Sequence, residues 1–467
     1  MSEAKQIIDA LKAEANQILR AFLGSKQLDS FEIGELGNFK YYWQDPRNLE
    51  FNSETYDWIK MALNAGQPPL QHGQSPFVNA YIQALGSISY SLSTDDQAKL
   101  NKAKSDAVDQ QGAVLRAWKE AFGKLPDGDE QPIDAICNII TTKWADPTTS
   151  LEEIQNARNL NKLLNKTPAS GKPILPIFAN WLNALGGAIS LQNAVSMNGG
   201  YLASALDAAQ MPTEKNGGML VNTDQDNYRV AYKVNTALSD IINGLKSQNA
   251  VKLKMDVLRA SESEFEVKIE GKAGFRIPVA SLLGISVSGN ASYFKSDIAT
   301  SKNTVSVEMT FPGTTLVTFG PVPYDFATNQ SWYWVDPIQK AIANGDKDVS
   351  GFKFAPKPSI DFSKYGPFSF LEGTAISNYP SMKIRVTSEN YRRIQETFEQ
   401  TVKVGVSFLG IPLGIGGSES TYSNKVSVNA SSKEVVIELN PPKELVAGTN
   451  TDSVGWVLGV LPVYPAS

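Results

Sequence analysis

One histidine and one cysteine set the limits of the chemistry this chain can do. His72 lies in the loop-like stretch "PPLQHGQSP", and a serine or cysteine hydrolase with an imidazole base would have to use it. A two-histidine metal site is excluded, and the sequence holds no H-E-x-x-H, C-x-x-C or P-loop. Cys137 sits in "IDAICNIITTKW", an apolar helical pattern that reads as a small buried side chain. A lone cysteine makes no intramolecular disulfide and suits a reducing compartment. The carboxylate pairs Asp95/Asp96, Asp127/Asp129 and Glu152/Glu153 fall at helix starts or in turns, where acidic groups meet the positive end of the helix dipole. Catalysis by carboxylates alone needs two of them brought together by folding. No catalytic residue, metal ligand or cofactor is assigned, and an enzyme or pathway accessory with a site between helical and β halves is the alternative reading.

Two other features point to contact rather than catalysis. The first is "SWYWVDPIQKAI", with Trp332, Tyr333 and Trp334 in succession. Alternate residues of a strand face the same way, so the two indoles form a flat pair that stacks on a sugar or enters a membrane interface. The competing reading is core packing between sheets. The second is a hydroxyl-rich stretch that occurs twice, "SGNASYFKSDIATSKNTVSVEM" at 288–309 and "GIGGSESTYSNKVSVNASSKEVVIEL" at 414–439. The glycines suggest bends and bulges, and Ser and Thr suit strands with a wet face. "GIPLGIGG" at 410–417 has neither the spacing nor the helix of a dinucleotide fingerprint.

The elements that carry these residues change period near residue 250. In the first half, Leu100, Ala103, Ala107, Val114, Trp118 and Phe122 share one helical face. The expectation is a long helix opened by a Thr94/Gln97 capping box and stopped at Gly123 and Pro126, with Ala103 and Ala107 letting a neighbour approach. A second box joins Ser150 to Glu153, and a further helix is expected over 226–247. Residues 1–24 read as an amphipathic helix, with Glu3, Asp9 and Glu14 where a secretory signal would be apolar. The expectation is cytoplasmic synthesis, with any release by a non-classical route. From Pro173 to Leu206 no residue is charged. That segment reads as a buried pair of helices or as a stretch stored until lipid is met.

In the second half, Leu253, Met255 and Val257 alternate with Lys254 and Asp256, and Val305, Val307, Met309 and Phe311 with Ser306, Glu308 and Thr310. These are period-two strands. One β unit occurs twice: "LKMDV" at 253–257 matches "MKIRV" at 382–386, and Gly289, Ser292 and Tyr293 match Gly417, Ser420 and Tyr422. "SKNTVSVEM" at 301–309 matches "SKEVVIEL" at 432–439. The expected fold is α+β and multidomain: an α-helical domain at 1–250, a first antiparallel, sandwich-like β unit at 251–325, an aromatic connecting segment at 326–380 and a second β unit at 381–467.

The whole chain has 467 residues, 42% hydrophobic and 19% charged, with a net charge of −5. It is therefore globular, too long for one ordinary core, and without the basic surface that nucleic acid requires. The segment "ETFEQTVKVGVSFLGIPLGIGGSESTYSNKVSVNASSKEVVIELNPP" resembles the central segment of aerolysin-type toxins of the epsilon-toxin/mosquitocidal class. The resemblance implies a non-enzymatic pore-forming toxin or defence protein. Each chain of a homo-oligomer would contribute an amphipathic Ser/Thr-rich hairpin, here carrying Gly289, Ser292, Tyr293, Gly417, Ser420 and Tyr422, to a closed barrel. Its partners would be membrane lipid or a surface receptor. A structural or assembly protein, with β units pairing edge to edge, is the other non-enzymatic reading.

Overall fold

A computed structural model describes the chain except residues 1–29, 32–37, 42–51, 65–70, 129, 147, 151–152, 155–159, 223–226, 260–263, 270–274, 279–303, 364–365, 394, 397–406, 409–410, 413–422 and 443–452. The protein is α+β, with helices mostly in the first half and antiparallel sheets dominating the second. Its contacts define two units. One comprises Met1–Ala84, Ala205–Val335 and Pro358–Ser467, the other Leu85–Ser204 and Asp336–Lys357. These are not the linear blocks read from periodicity, because each unit is assembled from segments distant in sequence.

The helical unit contains α1 (Thr94–Phe122), α2 (Pro132–Asn138), the larger part of α3 (Ile174–Gln210) and α4 (Asp336–Asn344). Leu100, Ala107, Val114 and Trp118 are the buried stripe of α1, as the spacing requires. Gly123 ends α1 in the left-handed conformation, φ 78°. The N-cap is Ser93 rather than Thr94: the Ser93 hydroxyl accepts from the Asp96 amide, while the Thr94 amide donates to Asp348 at 2.9 Å. A side chain brought in from a distant segment thus satisfies the end, which local pattern cannot foresee. The Ser150/Glu153 box forms in both directions, at 2.8 and 3.2 Å. Around these helices a core gathers Val114, Trp118, Ile136, Trp144, Phe178 and Leu182, with the Trp118 and Trp144 rings stacked at 5.3 Å. Cys137 lies half-buried beside this core, and burial together with Asp134 pushes its thiol pKa up.

Residues 173–206 do not form two helices but the single helix α3. The helix expected over 226–247 is also corrected. Asn227–Arg229 and Tyr232–Val234 are strands, and only Leu238–Leu245 is helical. Tyr232–Val234 pairs with Thr315–Pro321, so long-range pairing overrides a local 3.6-residue pattern.

Among the described residues, thirteen strands make the two large sheets of the β-rich unit. In chain order they are β1 (Ser30–Phe31), β2 (Asn38–Phe39), β3 (Tyr232–Val234), β4 (Ala250–Arg259), β5 (Glu264–Ile269), β6 (Phe275–Pro278) and β7 (Thr304–Pro312). They continue with β8 (Thr315–Pro321), β9 (Phe370–Ser377), β10 (Ser381–Thr387), β11 (Ser423–Asn429), β12 (Glu434–Asn440) and β13 (Gly455–Val463). The six-stranded sheet runs β1-β13-β9-β8-β3, with β2 also on β13. Its β13 reads "GWVLGVLPV" and is buried on both faces up to its last residue, hence a continuous apolar run rather than an alternation. The seven-stranded sheet runs β6-β5-β4-β7-β10-β12-β11.

Four adjacent strands of this second sheet carry the duplicated sequence. Leu253 of β4 pairs with Met309 of β7, and Met382 of β10 with Leu439 of β12. Matched residues of the two stretches therefore face matched partners. Val251, Leu253, Val307, Met309, Met382, Ile384, Ile437 and Leu439 fill the buried face. On the other face, register aligns Lys254, Glu308, Lys383, Glu438 and Lys425 in one row of alternating charge. Lys383 Nζ lies 2.8 Å from Glu438 Oε1. Opposite charges directly across strands support pairing only modestly, because solvent screens an exposed pair.

Lys383 holds the Glu438 carboxyl below its usual pKa, with Lys425 and Arg385 assisting. A carboxylate lowered in the folded state contributes stability above its unfolded pKa of about 4.3, and loses that contribution as pH falls through the folded value. The urea midpoint of the wild type should consequently fall more between about pH 5 and pH 3 than that of Glu438→Gln. Parallel pH profiles would remove the pair from the stability of the sheet.

The chain passes from one sheet to the other between β7 and β8, at Gly313. This residue has φ 67°, and a Cβ there would lie 2.0 Å from the Leu245 carbonyl oxygen and 2.8 Å from Asn378 Nδ2. The Asn378 amide itself donates to Leu245 O at 2.6 Å. Gly313→Ala is expected to destabilise the protein by at least about 2 kcal/mol, combining left-handed strain with a backbone clash. Equilibrium denaturation checks this.

Candidate functional site

After β8 the chain makes a closed loop over residues 322–335. Tyr324 N donates to Tyr333 O at 2.9 Å and Asp325 N to Gln330 O at 2.8 Å. The turn between them is organised by Asp325, whose carboxylate accepts from Ala327 N and from Thr328 Oγ1, both at 2.8 Å. These bonds hold its carboxyl below the usual range. Asn329 and Ser331 take positive φ, 54° and 70°. Ser331 is fixed there by its hydroxyl on Val322 O at 2.8 Å and by its amide on Asn216 O at 2.8 Å.

The loop sorts its three consecutive aromatic residues into different environments. Trp332 is 1% exposed. Its Nε1 donates to Ala231 O at 2.7 Å, and its indole meets the rings of Tyr81 at 5.1 Å and Tyr232 at 5.6 Å. Tyr81 from the helix Phe77–Gly86 ties the loop down: its hydroxyl donates to Trp332 O at 2.7 Å and accepts from Trp334 N at 2.8 Å. Burial drives the Tyr81 pKa upward, keeping the hydroxyl neutral and able to serve as both donor and acceptor. The Tyr232 hydroxyl is fully buried and has no hydrogen-bond partner among the described residues. Tyr333 is half-buried with its ring edge-on to Phe370 at 5.6 Å.

Trp334 is half-buried and faces elsewhere. It stacks on Tyr324 at 5.9 Å and 20°, and Phe326 stands perpendicular to it at 5.2 Å. Phe326 is 47% exposed. The flat surface pair of Trp332 and Trp334 is therefore corrected. The irregular loop breaks strand alternation, and the Trp332 indole belongs to the core. What reaches solvent is a cluster of Phe326 and the outer part of Trp334, backed by Tyr324. Tyr324 and Trp334 cover one face of each other's ring. An aromatic cluster of this kind suits an apolar or interfacial partner. Sequence reading missed Tyr324 and Phe326. The signal was present in Asp325 and Asn329, turn-forming residues that return the chain onto itself.

The other expected site residues, Gly289, Ser292, Tyr293, Gly417, Ser420 and Tyr422, lie outside the described residues. The His72 backbone belongs to the strand Gln71–Pro76, opposite Leu63. Asp95 and Asp96 sit in the first turn of α1, both ion-paired to Lys99. Among the described residues, no three His, Cys, Asp or Glu side chains group as a metal site. Compared with family models, curated proteins and solved structures, the chain gives no match.

Proposed function

We propose that this chain is a non-enzymatic, membrane-active binding protein whose two hydroxyl-rich segments insert as β-ribbons, in the manner of a pore-forming toxin or defence protein. Support comes from the topology of the seven-stranded sheet. Residues 260–303 connect β4 to β7, and residues 388–433 connect β10 to β12. Leu258, Thr304, Thr387 and Glu434 lie in one row across the four strands. Both connections thus leave and return at the same end of one sheet, so both ribbons can emerge in one direction. Each is ample for two strands of about ten residues, the length that crosses a bilayer.

The strands β5 and β11 give the resting arrangement its logic. Each continues a connection yet folds back antiparallel on its neighbour, β5 on β4 and β11 on β12. Extending β4 and β12 straight into a ribbon requires both to peel away. The Phe326/Trp334 cluster supplies first contact with lipid or a receptor, and several copies together would close a barrel.

Release of dye from vesicles of phosphatidylcholine and phosphatidylglycerol tests the proposal. The expected result is leakage that rises steeply with protein concentration, together with oligomers on the vesicles. Protein that gathers on vesicles and leaves them sealed would speak against insertion.

A further inference from the structure

We infer that residues 183–201 of α3 form a bilayer-contacting segment, separate from the β-ribbons. It shares a membrane with the function proposed above, but no residue of that mechanism.

Between Asn183 and Tyr201 only Ala188 is buried. Ile189 is 42% and Met197 55% exposed. An exposed helix of a water-soluble unit ordinarily carries charge on its wet side. Its companion α1 does so, with ten Asp, Glu, Lys or Arg residues along its length. On α3 charge is absent from every angular position from Pro173 to Leu206. That distinction identifies the occupant. A protein partner covers one stripe of a helix and leaves the opposite side free to be charged. A bilayer surrounds the helix and penalises charge at all angles, while Ser, Asn and Gln cost less. The most apolar eighteen-residue window has a mean hydropathy of 1.4 with only 33% of its residues buried. A helix of 37 residues is about 55 Å long, beyond the ~30 Å hydrocarbon core.

The glycines add an independent observation. Gly199 and Gly200 weaken the helix interior, yet a Cβ on either would meet nothing within 4 Å. Packing does not demand them. This pair of weak points lies within the uncharged stretch, at the C-terminal end of the segment, while the core residues Ile174, Leu175 and Phe178 lie at its other end.

The test uses the full chain with Cys137→Ser, carrying an environment-sensitive fluorophore on Ile189→Cys or Met197→Cys. Lys102→Cys on α1 is the control. With phosphatidylcholine/phosphatidylglycerol vesicles, labels at 189 and 197 should shift to the blue and brighten several-fold. Quenchers attached to acyl chains should reach them, and the label at 102 should not change. Labels at both α3 positions that stay open to aqueous iodide, on protein that has bound vesicles, overturn the inference. If dye still leaks in that case, the ribbon proposal stands alone. Lipid-protected labels with no leakage support α3 and count against the ribbons. Absence of any association with vesicles overturns both.

Discussion

Two engineered disulfides, Lys268→Cys with Asp256→Cys and Lys425→Cys with Glu438→Cys in a Cys137→Ser background, are expected to abolish vesicle leakage, and reduction to restore it. Lys268 stands directly opposite Asp256 across β5 and β4, and Lys425 opposite Glu438 across β11 and β12. Directly opposed strand residues bring their Cβ atoms to about 4.5–5.5 Å, close to what a disulfide requires. Each bridge pins a strand that must peel away before its neighbour can extend. Binding to vesicles should survive oxidation, because the Phe326/Trp334 cluster is untouched. Bound protein thus separates a locked mechanism from a misfolded one. Full leakage with both bridges closed would remove the peeling of β5 and β11 from the proposal.

The second large effect falls on stability. Trp332→Ala should destabilise the β-rich unit by about 3–5 kcal/mol, the usual cost of emptying a buried aromatic site. The loss has three parts here. The indole leaves a void among Tyr81, Tyr232 and Phe77. Ala231 O loses its donor. The loop that Tyr81 anchors loses the surface beneath it. With typical stabilities of about 5–15 kcal/mol, this is a large share of the total. Trp334→Ala, at a half-buried ring against Tyr324 and Phe326, should cost less than half as much and should instead weaken attachment to vesicles. Urea denaturation of the two variants, read beside vesicle sedimentation, checks both halves. Equal stabilities would refute the division of the aromatic triplet into one core residue and one contact residue.

Helices and strands were legible wherever a face is buried along the element's own length. The α1 stripe from Leu100 to Trp118 and the alternation of β4, β7, β10 and β12 follow from burying one side of a regular element. The Ser150/Glu153 box was legible because a cap is local chemistry. Misreadings arose where a distant segment decided the outcome. Asp348 takes the Thr94 amide at the start of α1, whose cap is Ser93. β3 pairs with β8, so Val234 belongs to a strand although its spacing from Val230 and Leu238 suits a helix. The Trp332/Trp334 pair failed for a related reason: alternation holds only while the backbone is a strand, and positive φ at Asn329 and Ser331 ends it.

By itself the sequence determined the α+β class, the exclusion of two-histidine and disulfide chemistry, the duplicated strand motif and the uncharged span from Pro173 to Leu206. These depend on residue type and short-range period, which chain connectivity alone preserves. Tertiary structure decided that matched strands lie in one sheet in matched register, that their connections share one end of it, and that Phe326 rather than Trp332 reaches solvent. Each of those is a statement about which distant groups become neighbours. Burial and pairing free energies are realised only when such groups meet, so no window of sequence contains them.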